Sequence, residues 1–284
     1  MVWPLSNRVV LAFDAGSVSA AIVRRGLRSV RAVSLSSGRL LDGALVPSAF
    51  ERNLRDPEEV GRAIREALES LRPRTTGVTL VLPHGVSRMA VLDLPTAHEP
   101  TEYARFRLGA SLPYPAAEAV VDFLPLEGGR MLAAAVHRAV IAEYEEAAAS
   151  AGIGRGRVDL APLAAAAGAG PICRGFEAAA VFLVLGDAAC TFLAYEGGRL
   201  LGVRTRRRDR DRGEAERLRQ DAFRTATEAR LFGEPELVVA GSGARGVVDH
   251  WALAGPGARL LSLLPEEGPL YEAGSRPWLA AALA

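Results

Sequence analysis

Val9 to Arg25 reads VVLAFDAGSVSAAIVRR, and Ala180 to Tyr195 reads AVFLVLGDAACTFLAY. Each stretch is an apolar run, a short glycine-bearing turn and a second apolar run, which is how two buried strands joined by a tight turn are written. Two such hairpins point to a duplicated fold. Laying Gly16 on Gly186 also brings the next strand, Val30 to Val33, onto Leu200 to Val203. In a duplicated fold with a cleft between its halves, turns at the ends of buried strands expose backbone N–H groups that can wrap an anion. On this alignment one difference between the copies is telling: Asp14 ends the first apolar run, and Val184 stands in its place in the second.

The chain has 284 residues with an apolar fraction of 49%, enough to fill two cores, so disorder is not expected. A formal charge of +1 gives no electrostatic reason to expect nucleic acid or an anionic membrane as partner. Every basic residue is arginine. The absence of lysine excludes a lysine nucleophile, a Schiff base and the GxxxxGK phosphate loop. Cys173 and Cys190 have no paired spacing, which disfavours a disulfide scaffold or a structural zinc and fits a reducing cytosol. His84, His98, His137 and His250 are scattered, with no helical pair to hold a metal, and read as surface or satisfied core histidines. Only Val9 to Phe13 precede Asp14 as an apolar run, too short for a signal peptide, and Asp187 interrupts the longest apolar stretch, so no bilayer span is expected.

Beyond the first hairpin lies a Ser- and Gly-rich loop, then Asp56-Pro57-Glu58-Glu59, a helix start in which Asp56 caps, Pro57 suits the first position and Glu59 reaches back to the cap. Val60, Ile64, Ala67, Leu68 and Leu71 give that helix one apolar face, and strand Val78 to Leu82 follows. From Arg88 to Ala151 the order is strand, helix, strand, strand, helix, which reads as an inserted small α+β subdomain. A strand at Val158 to Leu160, an Ala-rich helix near Pro162 to Ala167 and a hinge at Gly168 to Gly175 lead to the second lobe. There the mixed-charge run Arg206 to Arg212 reads first as a solvated approach to a helix from Glu214 to Leu231, with an anion contact as the sharper alternative. Strand Leu237 to Ala240 runs into Gly241-Ser242-Gly243-Ala244 and a helix, a turn where backbone can approach a nucleotide closely.

These pieces in this order resemble the actin-like ATPase superfamily, which includes actin, the Hsp70 chaperones, the sugar kinases and FtsA, and within it the PilM-like type IV pilus assembly proteins. The first phosphate turn of that family is matched by Phe13-Asp14-Ala15-Gly16-Ser17-Val18-Ser19, and its LP segment by Val81-Leu82-Pro83 with Arg88 to Pro95. Leu112-Pro113-Tyr114-Pro115 and Val121-Asp122-Phe123 are similar to its central signature, and Gly241 to Ala244 stand where its adenosine turn would be. The resemblance implies an α/β, duplicated actin-like (ribonuclease H-like) two-lobe fold. The first lobe would span 1–175, with the insertion at about 88–151, and a shortened second lobe 176–284. It implies ATP and Mg²⁺ as the ligands of the cleft, with Asp14, Gly16, Ser17, Val18, Ser19, Gly186, Asp187, Gly241, Ser242, Gly243 and Ala244 around the nucleotide and Asp14 on the metal through water. It also implies a cytoplasmic protein at the inner face of the inner membrane, binding the N-terminal tail of a PilN-type bitopic membrane protein in a groove walled by Leu112, Tyr114 and Phe123.

The departures from the family shape the functional expectation. Ala21 stands where the family carries a lysine, and Val184 where the second phosphate turn carries an aspartate, with Asp187 just beyond. Only Arg204 to Glu236 separates that turn from the third, room for about one helix in place of a subdomain. Phosphoryl transfer relies on positioned charge, and losing one such contact costs roughly two to three orders of magnitude in rate. The expected function is therefore a scaffold with a degenerate nucleotide cleft and no efficient hydrolysis. The alternatives are an active ATPase or small-molecule kinase of the same fold, and the cytoplasmic part of a GspL-like secretion component. The last is disfavoured because a membrane span normally follows in GspL and the chain ends at Leu279-Ala280-Ala281-Ala282-Leu283-Ala284.

Overall fold

The first hairpin forms from β1 (Asn7–Asp14) and β2 (Ser17–Arg25), and β3 (Val30–Arg39) continues it antiparallel. The computed structural model describes residues 7–25, 30–71, 78–94, 99–154, 156–164, 179–254 and 258–260. The expected hinge, the end of the Ala-rich helix, Cys173 and the C-terminal Leu279 to Ala284 lie outside them. β3 runs on through Ser34 to Gly38, read from sequence as loop. Pairing with β2 overrides the poor strand propensity there, and Gly38 lets α1 close on the sheet, since a Cβ would lie 2.2 Å from the Ala63 carbonyl oxygen. That helix, α1 (Pro57–Glu69), is capped by Asp56, whose carboxylate accepts from the Glu59 N–H at 3.0 Å. Glu59 does not return the bond to the cap. Its two oxygens take the Leu41 N–H and the Arg62 guanidinium, because Arg62 offers two charge-assisted bonds at 2.7 and 2.8 Å.

β4 (Val78–Leu82) pairs parallel with β1. Then come β5 (Ser87–Asp93), α2 (Pro100–Gly109), β6 (Ala119–Leu126), β7 (Arg130–His137), α3 (Arg138–Ser150) and β8 (Arg157–Leu160). The second lobe consists of β9 (Ala179–Leu185), β10 (Ala189–Glu196), β11 (Arg199–Arg207), α4 (Glu214–Glu228), β12 (Glu236–Gly241), α5 (Ala244–Ala254) and β13 (Ala258–Leu260). The two large sheets have the same order, β3-β2-β1-β4-β8 and β11-β10-β9-β12-β13, each with one antiparallel meander and two parallel strands. Even their irregularities correspond: the register shifts between Ile22 and Val23 in one and between Ala194 and Tyr195 in the other. The halves are therefore duplicates.

That ladder corrects the alignment on glycine. Ser17 lies opposite Arg39 and Ala189 opposite Arg207, so Ser17 corresponds to Ala189 and Asp14 to Gly186, two residues beyond the expected partner Val184. The physical reason is that the two glycines do different jobs. Gly16 sits at a turn tip, whereas Gly186 is the first residue after β9, where a Cβ would lie 2.7 Å from His84 Cδ2.

β5, β7 and β6 form a separate antiparallel sheet. One face is covered by α2, with Ala104 and Leu108 against Val121, Met131, Ala133 and Ala135. Met89, Val91 and Leu132 belong to a different cluster, with Phe182, Leu193 and Tyr195 of the second lobe. α3, grouped by sequence with the insertion, packs instead into the first lobe's core through Val140, Tyr144, Ala147 and Ala148.

Candidate functional site

Three turns meet where the parallel strands end: the β1–β2 turn, the β9–β10 turn and the turn after β12. β12 runs parallel to β9, so the third turn lies beside the β9–β10 turn, and hydrogen bonds between Asp14, Gly16 and Asp187 join the first turn to the second. The third turn is held close because Gly241 has φ +102° and no side chain. A Cβ there would lie 2.1 Å from the Leu185 carbonyl oxygen, and that same oxygen accepts from the Ser242 N–H at 2.8 Å.

The acidic groups of the first two turns face each other. Asp14 accepts the Asp187 N–H on both oxygens, at 3.0 and 2.9 Å, and the Ala15 N–H at 2.9 Å. Asp187 in turn accepts the Gly16 N–H at 3.3 Å, the Ser242 hydroxyl at 2.8 Å and the Arg210 guanidinium at 2.5 Å. Both lobes thus contribute a carboxylate, with Asp187 supplying the acid that Val184 does not. Asp187 reaches the site from one residue past the true equivalent of Asp14. Burial, and then the Asp187 charge, push the Asp14 carboxyl up to about 7. Asp187 is pushed up by its own burial but held below the usual range overall by the Ser242 and Arg210 hydrogen bonds.

Behind the turns lies a second, buried layer. Arg208 donates to the Gly186 and Ser242 carbonyls at 2.7 and 2.9 Å and pairs with Glu214 through two bonds at 2.8 and 3.0 Å. His84, from the turn after β4, lies under Gly186 with Nδ1 3.0 Å from the Thr191 hydroxyl, which meets Thr205 at 2.9 Å. Burial, then the Arg208 charge, lower the His84 imidazole to about 3, so it is neutral at physiological pH. It is the satisfied core histidine the sequence allowed. The charge run does more than solvate a helix approach: Arg208 is buried and Arg210 binds Asp187, while Arg206 pairs with Asp221. Arg208 and Arg210 enter the sequence reading only as members of the mixed-charge run, and nothing in RRRDRDR separates the structural arginines from their neighbours.

Of the remaining candidates, Val18 points into the first lobe's core and Ser19 is buried. Ser17 opens β2 opposite Asp14, and Gly243 and Ala244 start the turn into α5. A pocket of about 380 Å³ opens beside the turns, lined by Ala15, Gly16, Asp42, Pro47, Asp187 and Arg210 among others. Leu112, Tyr114 and Phe123 come together on the insertion, half-buried against the α2 cluster. The Tyr114 ring meets His137 edge-on at 4.5 Å. The Tyr114 hydroxyl and His137 Nδ1 are buried with no partner among the described residues. The other face of α2 carries Phe106, 80% exposed, at a pocket of about 580 Å³ bounded by Glu102, Arg105, Arg107, Gly109, Ala110 and Ala116. Among the described residues no group of three or more His, Cys, Asp or Glu is placed to hold a metal, and no helix is long and apolar enough to cross a membrane.

No protein-family model matches the chain, and no curated protein does. Solved structures do. A chain of the PilM–PilN type IV pilus biogenesis complex superposes with a TM-score of 0.75 at 20% identity, over 99% of this chain and 97% of that one. A Bacteroides thetaiotaomicron protein with actin-like ATPase fold and unknown function gives 0.65 at 9% identity, over 99% and 96%. The cytoplasmic domain of EpsL, an inner membrane component of the type II secretion system of Vibrio cholerae, gives 0.54 at 10% identity, over 96% and 95%. The chain has the duplicated actin-like ATPase fold.

Proposed function

We propose that the chain is a scaffold component of a type IV pilus machine, binding through its insertion the cytoplasmic N-terminal tail of a PilN-type inner-membrane protein. On this reading it works in the cytoplasm at the inner face of the inner membrane, and its cleft does not turn over nucleotide efficiently. The observation that carries the reading is the likeness to a chain of the PilM–PilN complex, which extends over nearly the whole of both chains, insertion included. The likeness to the EpsL cytoplasmic domain favours a type II secretion machine as the second setting for the same role.

The chemistry of the insertion suits an extended, partly apolar peptide. Leu112, Tyr114 and Phe123 supply half-buried apolar surface on which such a peptide could pack its side chains. An enzyme reading asks for a base facing a substrate pocket, and the two carboxylates at the meeting of the turns, Asp14 and Asp187, are engaged with backbone amides and Arg210.

The test is calorimetric titration of the full chain with a synthetic N-terminal tail peptide of a PilN-type protein from the same organism. Binding in the micromolar range that falls at least tenfold in Tyr114→Ala or Phe123→Ala supports the reading, tenfold being about 1.4 kcal/mol. Absence of binding, or ATP turnover lost in Asp14→Ala, overturns it.

A further inference from the structure

A phosphate-binding turn works by leaving backbone N–H groups free to point at an anion, usually with a cation alongside. In this cleft three of those groups, on the first two turns, are taken. The Ala15 and Asp187 amides point at the Asp14 carboxylate, and the Gly16 amide points at Asp187. The two turns touch so closely that a Cβ on Gly16 would lie 3.1 Å from Asp187 Oδ2. The chain has no lysine, and Arg210 is committed to Asp187, with a second bond to the Ser242 hydroxyl at 3.3 Å. The buried Arg208 is committed to two carbonyls and Glu214. A nucleotide polyphosphate with its divalent cation does not fit these residues as they stand, because its oxygens would have to displace two carboxylates that already hold the amides.

We infer that Asp14 and Asp187 act as the cleft's own internal anion: the phosphate seats are occupied by side chains from the two lobes, and Arg210 with Ser242 pins them in place. The arrangement joins the first lobe to the second directly through Asp14 and the Asp187 amide, and indirectly through Asp187 to the third turn. The apolar contacts of Met89, Val91 and Leu132 with the second lobe oppose any widening of the cleft. The site is thus a polar clasp built from a phosphate-binding geometry. This inference rests on the cleft alone and stands or falls separately from the tail-binding reading.

The test uses the full chain, with Mg-ATP and inorganic pyrophosphate as probes in calorimetry. The wild type is expected to give no binding at millimolar concentrations of either. The double variant Asp14→Ala/Asp187→Ala empties the seats and frees Arg210, and is expected to gain pyrophosphate binding by at least tenfold. Adding Arg210→Ala to it should abolish the gain. A folded double variant that takes up no pyrophosphate contradicts the inference, and so does a wild type that binds either probe at micromolar concentration. Hydrogen exchange of the wild type provides the readout should the variant not fold. Slow exchange at the Gly16 and Asp187 amides, unchanged by Mg-ATP, is expected; rapid exchange there without ligand overturns the clasp. Tail-peptide titration of the same samples separates failure of the clasp from failure of the tail-binding reading.

Discussion

Asp14 is the residue at which physics and sequence most plainly conflict, since a buried carboxyl beside another carboxylate costs stability. Its folded pKa, about 7, lies above the ordinary 3.8, so between those values the folded state holds a proton that the unfolded chain releases. Its contribution is full below about pH 4 and is lost as pH rises through about 7. Asp14→Asn is therefore expected to raise the melting temperature at about pH 8 and leave it little changed at about pH 4, about 1 kcal/mol being about 2–4 °C in a chain of this size. Asp187 has the opposite sign: its depressed carboxyl stabilises above the ordinary value, so Asp187→Asn should lower the midpoint at neutral pH. Thermal melts of both variants across pH check the pair, and equal responses would contradict the assigned environments. Gly186→Ala should cost about 1–3 kcal/mol in denaturant melts, since the added methyl meets His84 and the Ala189 carbonyl oxygen. Asp14, Gly16, Asp187 and the third turn were legible because glycine and aspartate at strand ends announce backbone chemistry. Arg208, Arg210 and His84 were not, because their roles depend on which residues from distant turns lie against them.

The elements followed from the sequence wherever periodicity or a cap marked them. α1 was announced by Asp56-Pro57 and its apolar stripe, and β4 by a run buried at every position. Asp56→Ala should destabilise by about 1 kcal/mol by removing the bond from the Glu59 N–H. β3 and β11 ran longer than their sequences suggest because neighbouring strands and helices select the conformation of Ser34 to Gly38 and of the arginines after Val203. The loop between β3 and α1 is built on a contact that no local pattern shows: Asn53, fully buried, accepts from the Tyr144 hydroxyl, and Glu143 of α3 accepts the Asn53 and Leu54 N–H groups at 2.8 and 3.0 Å. Those bonds also explain why α3 belongs with the first lobe although it follows the insertion in sequence. Phe106 on α2 is exposed, so Phe106→Ser should leave the melting temperature within a degree or so of wild type. A weakened tail titration in that variant would place the peptide on the outer face of α2; unchanged affinity would place it beside Tyr114 and Phe123.

At the scale of the whole molecule, the duplication was visible in two hairpins and is carried through strand order, register and matching irregularities. What the sequence did not reveal is how the halves are joined. Leu132 of the insertion lies in the same buried cluster as Phe182, Leu193 and Tyr195, with the partly buried Met89 and Val91 packed against it, so the insertion adds to the second lobe's core. A polar clasp at the turns and an apolar seam at the insertion tie the two lobes together at two separate places. The most direct test is titration of the full chain with the PilN-type tail peptide, once without nucleotide and once with saturating Mg-ATP. The same affinity in both is predicted; tail binding that appears only with Mg-ATP would contradict the account.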